Sequence, residues 1–138
     1  MEQSGWITFG AHTMHHPILS YLTDAAEVRR EVTECRRVLE ERLGHPVDAF
    51  AYPIGKPEHI GAQGLQAVED AGYTWAVTTI PGNNTPQTDP LLLRRIPGNL
   101  DLHWLELAAL LAGLLGMRTR VKRVFGLDPA LKGTIARK

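Results

Sequence analysis

The sequence of 138 residues lacks several features that would place a protein in a functional class at once. It has a single cysteine, Cys35, so no internal disulfide can form, and the redox compartment stays open. Its 15 basic and 15 acidic residues balance to a formal net charge of zero, whereas a nucleic-acid-binding protein normally carries a basic excess. We therefore expect no nucleic-acid partner.

Long hydrophobic segments are also missing. The stretch richest in leucine and alanine, residues 101–116, is too short and too polar at its start for a transmembrane segment. Residues 1–11 have neither the basic start nor the apolar core of a signal peptide, and the localisation stays unknown. With 43% hydrophobic and 22% charged residues, the composition is that of one globular domain.

Strand and helix patterns alternate along the chain. Short β-prone stretches predict four strands, the first of them buried, at residues 7–11, 47–52, 73–79 and 92–96. Apolar residues at three- and four-residue intervals, with Thr23 or Asp24 as a cap and Gly44 as a stop, predict a first helix over about 24–43. Further helices are predicted over about 57–71 and 101–116. This order predicts an α/β fold in which parallel strands alternate with helices.

The side chains of the first predicted helix fall into two groups. Cys35 belongs to the apolar stripe, and we expect it to be an inert core thiol. The charged residues lie mostly off that stripe and predict a solvated face; they include Glu27, Glu31, Glu34, Arg36, Arg37, Glu40 and Glu41.

Three histidines lie within five residues, in the run Gly-Ala-His-Thr-Met-His-His-Pro at residues 10–17. His12 and His16 are four residues apart, a spacing that places both on one face of a helical turn, where both imidazoles can bind one metal ion. His15 is an alternative second ligand on spacing alone. Pro17 disfavours the α conformation at His16, so any helix here is limited to about one turn.

A second distinctive turn, Tyr52-Pro53-Ile54-Gly55, follows the next predicted strand. Because active sites of β/α barrels gather at the carboxyl ends of the strands, we expect this turn and the histidines to share one rim. Tyr52 either forms one wall of a substrate groove or packs as a strand-end aromatic.

Several blocks of the sequence resemble one family when they are taken together. The histidine block at residues 5–19 is followed by Ala-Phe-Ala-Tyr-Pro-Ile-Gly at 49–55, by Ala-Gly-Tyr-Thr-Trp-Ala-Val-Thr-Thr at 71–79 and by Leu-Arg-Arg-Ile-Pro at 93–97. In this order and spacing they resemble the polysaccharide deacetylases that share the NodB homology domain, in a branch where exopolysaccharide-associated members are common. The likeness covers roughly residues 4–115.

The resemblance implies a partial β/α barrel over residues 1–116, with residues 117–138 as a basic tail. It also implies a metal-dependent hydrolase that removes N-acetyl groups from amino sugars of a glycan. His12 and His16 would bind a divalent metal, most simply Zn²⁺, and residues 52–55 (Tyr52, Pro53, Ile54 and Gly55) would bind substrate. Family members often carry arginine where Ala51 stands, a role that Arg94 or Arg95 could fill, and His103 is a weak match to the general acid.

The family's first motif, T-F-D-D, is not found upstream of the histidines. One of its aspartates is the third metal ligand and the other is the catalytic base, so the base cannot be located. The chain therefore looks like a C-terminal portion: a fragment, a shortened gene model or a degenerate paralogue. We expect little or no hydrolysis unless the site is completed in trans or by another residue such as Asp48. The alternative is a non-catalytic carbohydrate-binding or accessory module, and exposed barrel edges could drive self-association.

Overall fold

The computed structural model describes residues 4–96 and 104–112, and the chain divides into two units, Met1–Arg95 and Ile96–Lys138. The first unit contains a three-stranded sheet in the order β1-β2-β3, with β1 at Ala49–Ala51, β2 at Trp75–Pro81 and β3 at Leu93–Arg95. Both pairings are parallel, and Phe50 of β1 lies opposite Ala76 of β2. The predicted α/β fold of parallel strands alternating with helices is confirmed.

One helix precedes β1, and a second connects β1 to β2. Helix α1 spans Ala25–Leu43; the Asp24 side chain caps it by accepting from the Ala26 N–H, and Gly44 ends it with a φ of 76°. Helix α2 spans Pro57–Asp70 and is interrupted at Gly61, whose φ is 67°. An added Cβ at Gly61 would lie 3.1 Å from the Ser20 Cβ, so a 3-10 turn at Leu19–Tyr21 packs closely against the interruption.

The core of the first unit lies between the sheet and the two helices. It is formed by side chains that bury against one another, among them Leu19, Val28, Val32, Val47, Phe50, Val68, Tyr73 and Ala76. Cys35 belongs to this core as a free thiol, as predicted. Burial raises the pKa of Cys35, against an opposing contribution from a hydrogen bond with the backbone of His12.

The predicted buried strand at residues 7–11 is wrong. Only Ala11 pairs with β1, through a parallel bridge to Phe50 in which Ala11 donates to Ala49 O and accepts from Ala51 N. Thr8, Phe9 and Gly10 are exposed. A strand is stable when its backbone is hydrogen-bonded to a neighbouring strand and its side chains are packed against other residues. In this segment only Ala11 meets both conditions.

The second unit shows one described helix, α3 at Trp104–Leu111. It agrees with the middle of the helix predicted over 101–116, whereas His103 and the predicted tail at 117–138 lie outside the described residues. In the described ranges, helices of membrane-spanning length and hydrophobicity are not found.

Candidate active site

His12 begins the site because it follows Ala11 directly at the carboxyl edge of the sheet. Its ring Nδ1 lies 2.6 Å from the backbone oxygen of Ala51, the last residue of β1. A carbonyl oxygen can only accept, so Nδ1 must carry the proton, and in the neutral ring Nε2 keeps its lone pair. Metal-binding histidines are commonly oriented in this way: the ring nitrogen that does not bind the metal donates its N–H to a carbonyl or carboxylate.

The chain after His12 bends in a way that is not helical. Thr13 and His16 have φ values of 63° and 59°, in the left-handed region that residues with side chains adopt at a cost of about 1 kcal/mol each. The Thr13 hydroxyl donates to His12 O at 2.6 Å and accepts from the His16 N–H at 3.0 Å. The predicted helical turn is therefore wrong, because Thr13 takes the backbone groups that a helix would pair.

The bend nevertheless brings the predicted pair of imidazoles together. The ring centroids of His12 and His16 are 4.7 Å apart with an interplanar angle of 69°, and both residues are exposed. Two imidazoles that bind one tetrahedral zinc have ring centroids about 5 Å apart. The separation of the two rings therefore fits two ligands of a zinc ion. Among residues 4–96 and 104–112, no cluster of three or more histidine, cysteine or acidic side chains has metal-binding geometry.

His15 contacts helix α1 instead of the other two histidines. Its Nδ1 lies 2.7 Å from Glu31 Oε1, and Glu31 Oε2 accepts from the backbone N–H groups of Met14 and His15 at 3.0 and 2.9 Å. Burial alone would raise the pKa of Glu31, but the hydrogen bonds from His15 and Met14 outweigh it and hold that pKa below its usual value. The predicted solvated position of Glu31 is therefore wrong, because its side chain is largely covered by these contacts.

The turn at residues 52–55 lies beside the histidines, and its backbone groups are hydrogen-bonded to β2. The Tyr52 N–H donates to Val77 O, and the Thr79 N–H and hydroxyl donate to Gly55 O and Ile54 O at 2.9 and 2.6 Å. Ile54 and Gly55 both have positive φ values, 59° and 67°. An added Cβ at Gly55 would meet Thr79 N at 2.8 Å, so only glycine fits this close approach.

Tyr52 packs inward from this turn. It is 3% exposed, and its ring meets that of Phe50 edge-on at a centroid distance of 5.2 Å. Its hydroxyl is buried without a hydrogen-bond partner among the described residues. Burial, with a smaller contribution from the Asp89 charge, raises the pKa of Tyr52 far above its ordinary value. The sequence predicts that Tyr52 either forms one wall of a substrate groove or packs as a strand-end aromatic. Its burial matches the second of these predictions.

The remaining candidates are not gathered around His12. Arg94 and Arg95 are exposed on β3, and β1 and β2 separate that strand from Ala11, a distance of about 14 Å at normal strand spacing. Asp48 precedes β1, and its backbone oxygen accepts from the Thr74 and Trp75 N–H groups, so it lies at the amino ends of the strands, opposite His12. Ala51 contributes its carbonyl oxygen to His12, and His103 lies outside the described residues.

Comparisons with known proteins agree with the motifs. The family model described as polysaccharide deacetylase matches residues 1–76, more than half of the 138 residues. The chain therefore belongs to the polysaccharide deacetylase family. No curated protein sequence matches it.

Solved structures of deacetylases share its fold. PplD from Streptococcus pyogenes, solved in complex with acetate, is 26% identical with a TM-score of 0.66 and aligns with 73% of this chain and 43% of its own. A polysaccharide deacetylase from Bacillus cereus is 24% identical with a TM-score of 0.65, over 79% of this chain and 33% of its own. IcaB from Ammonifex degensii is 21% identical with a TM-score of 0.67, over 79% and 48% respectively. The chain thus spans between a third and a half of each of these structures.

Proposed function

We propose that this chain carries the histidine part of a metal-dependent glycan N-deacetylase, which removes N-acetyl groups from the amino sugars of a polysaccharide. His12 and His16 are the proposed metal ligands and Zn²⁺ is the proposed ion. The observation that carries the proposal is the paired arrangement of the two rings, with the Nδ1 proton of His12 committed to Ala51 O. Membership of the family and the fold of the solved deacetylases support the substrate class.

Each part of the site has a distinct task in this proposal. Bound zinc would supply Lewis acidity at the acetyl carbonyl and make water a better nucleophile. His12 binds through Nε2, because its Nδ1–H is held by the sheet. The turn at residues 52–55 lies at the same carboxyl edge of the sheet. Its Tyr52 and Gly55 N–H groups already donate to Val77 O and Pro53 O, so they are not available to a sugar. The exposed Ile54 is therefore the residue of this turn that is best placed to contact the sugar.

The proposed site needs groups beyond the two histidines. A catalytic zinc commonly has three protein ligands, and water attack needs a base. In the described part of the chain the nearby carboxylate is that of Glu31, and its oxygens already accept from the turn. Removal of a catalytic base lowers rates by about 10²–10⁴-fold. We therefore expect this chain alone to release acetate from N-acetylglucosamine oligomers far more slowly than a complete deacetylase.

Zinc titration of three histidine variants tests the assignment. In competition with a chromogenic chelator, we expect the wild type to bind one Zn²⁺, and His12→Ala or His16→Ala to weaken binding by at least about tenfold. His45→Ala is the matched control, because His45 is an exposed histidine beyond the end of α1, where its ring Nδ1 lies 2.8 Å from Pro46 O. Equal zinc affinity in His12→Ala, His16→Ala and the wild type would disprove the assignment.

The second candidate is a non-catalytic carbohydrate-binding or accessory module. It is favoured by the lack of a third ligand around the histidines among the described residues. Measurable binding of N-acetylglucosamine oligomers by a chain that binds no zinc would support the module over the hydrolase. Acetate release near the rate of a complete relative would exclude it.

A further inference from the structure

The Glu31 carboxylate joins helix α1 to the histidine turn, residues 12–16, through side-chain hydrogen bonds. Its side chain is 12% exposed, and its two oxygens take three hydrogen bonds, from the Met14 N–H, the His15 N–H and the His15 ring. The two backbone donors lie between His12 and His16 in the chain. Glu31 therefore fixes the segment that joins the two proposed ligands.

Helix α1, which carries Glu31, is itself held in place by contacts with another segment. At the residue after Glu31, the Tyr73 hydroxyl donates to Val32 O at 3.1 Å, and five residues after Glu31 the Arg36 side chain donates to Ala71 O. Arg36 also lies over the Tyr73 ring, 5.2 Å from its centroid. The helix that carries Glu31 is thus held to the segment between α2 and β2 independently of the histidine turn.

The turn needs such support, because its shape is not one that the chain adopts by itself. Thr13 and His16 are left-handed, and the Met14 and His15 N–H groups between them have no helix or strand to pair with. Without an acceptor, these N–H groups would face water, and the bend would have access to ordinary right-handed conformations. The His12–His16 ring separation would then no longer be fixed.

We propose that Glu31 is a positioning residue for the metal site: it sets the affinity of the His12–His16 pair by holding the backbone between them. This inference rests on the proposed metal-binding function. It assigns Glu31 no contact with metal or substrate. Its effect is geometric, so it depends on hydrogen-bond acceptors and not on the negative charge itself.

Three variants separate geometry from charge. Glu31→Ala removes the acceptors, whereas Glu31→Gln keeps an amide oxygen for the two N–H groups and offers an N–H to the His15 ring. Glu27→Ala is the matched control, because Glu27 lies one turn earlier on α1, is exposed, and lines a surface cleft together with His15 and Glu31. We expect zinc affinity to fall by about 10–100-fold in Glu31→Ala, by less than about tenfold in Glu31→Gln, and not at all in Glu27→Ala.

A second measurement needs no metal. Hydrogen exchange of the Met14 and His15 amide protons, followed by NMR in the metal-free protein, should become at least about tenfold faster in Glu31→Ala and stay near wild type in Glu27→Ala. Thermal unfolding of each variant shows that the fold is kept. If Glu31→Ala binds zinc as tightly as the wild type, or leaves both amide protons protected, the inference is wrong. If the wild type binds no zinc, the proposed function fails, and the exchange rates alone then decide whether Glu31 holds the turn.

Discussion

The two turns at the carboxyl edge of the sheet are held by different means. The histidine turn depends on side chains: the Thr13 hydroxyl bridges two backbone groups within it, and Glu31 reaches it from α1. The turn at residues 52–55 depends mostly on backbone: Val77 O and the Thr79 N–H of β2 bond to it, the Thr79 hydroxyl adds one side-chain bond, and Gly55 leaves no room for a Cβ. The two neighbouring turns should therefore be weakened by different substitutions: the histidine turn by the loss of a polar side chain, and the turn at residues 52–55 by an added Cβ.

The largest effect should come from adding a single methyl group to the second turn. Gly55→Ala forces a Cβ to within 2.8 Å of Thr79 N at a positive φ, and we expect it to lower the free energy of unfolding by about 2–4 kcal/mol. Gly44→Ala is the control, because its φ is also positive but nothing lies within 4 Å, so a loss of about 1 kcal/mol is expected. Urea denaturation measures both, and equal losses would contradict the claim that close backbone contact locks this turn.

A smaller effect should follow from removing the hydroxyl of the first turn. Thr13→Val keeps the shape of this buried side chain but removes its two hydrogen bonds, to His12 O and from the His16 N–H, which should destabilise the protein by about 1–3 kcal/mol. Thr13→Ser keeps the hydroxyl and should lose less than about 1 kcal/mol. Urea denaturation measures the stability of both variants. If Thr13→Val is as stable as Thr13→Ser, the Thr13 hydroxyl does not hold this turn.

The smallest effects concern the two buried tyrosines. Tyr73→Phe removes the hydrogen bond to Val32 O that anchors α1, and should lower the free energy of unfolding by about 0.5–1.5 kcal/mol. Tyr52→Phe removes a buried hydroxyl without a described partner, and should leave stability within about 0.5 kcal/mol of the wild type or raise it. Thermal or urea unfolding distinguishes them, and a larger loss at Tyr52 would mean that its hydroxyl is paired in solution.

The regular elements could be predicted well from the sequence. The apolar stripe and the Asp24 and Gly44 signals placed α1 within a residue of its observed bounds, and the order of strands and helices predicted the parallel sheet. The segment at residues 7–10 could not be predicted, because pairing and burial depend on neighbours that local pattern does not reveal. The interruption of α2 at Gly61 was missed for a similar reason, since it follows the close approach of Ser20.

The candidate site was only half visible in the sequence. The spacing of His12 and His16 predicted that their rings meet, but the assumed helical turn was wrong because Thr13 and Glu31 supply the pairing that shapes the bend. A signal for Glu31 did exist. It lies three residues after Val28 and four before Cys35, both buried, so it shares their helix face, where a carboxylate requires partners.

The bond from the His12 ring to Ala51 O also links the alignment of the sheet to the protonation pattern of the imidazole. Ala11 lies opposite Phe50, and this pairing brings His12 to the one carbonyl that selects the Nδ1–H tautomer. A slip by one residue would turn alternate side chains to the other face and remove that selection. Strand alignment thereby decides which ring nitrogen of His12 keeps its lone pair, so a misaligned chain would no longer present a fixed Nε2 to the proposed metal even with both histidines intact.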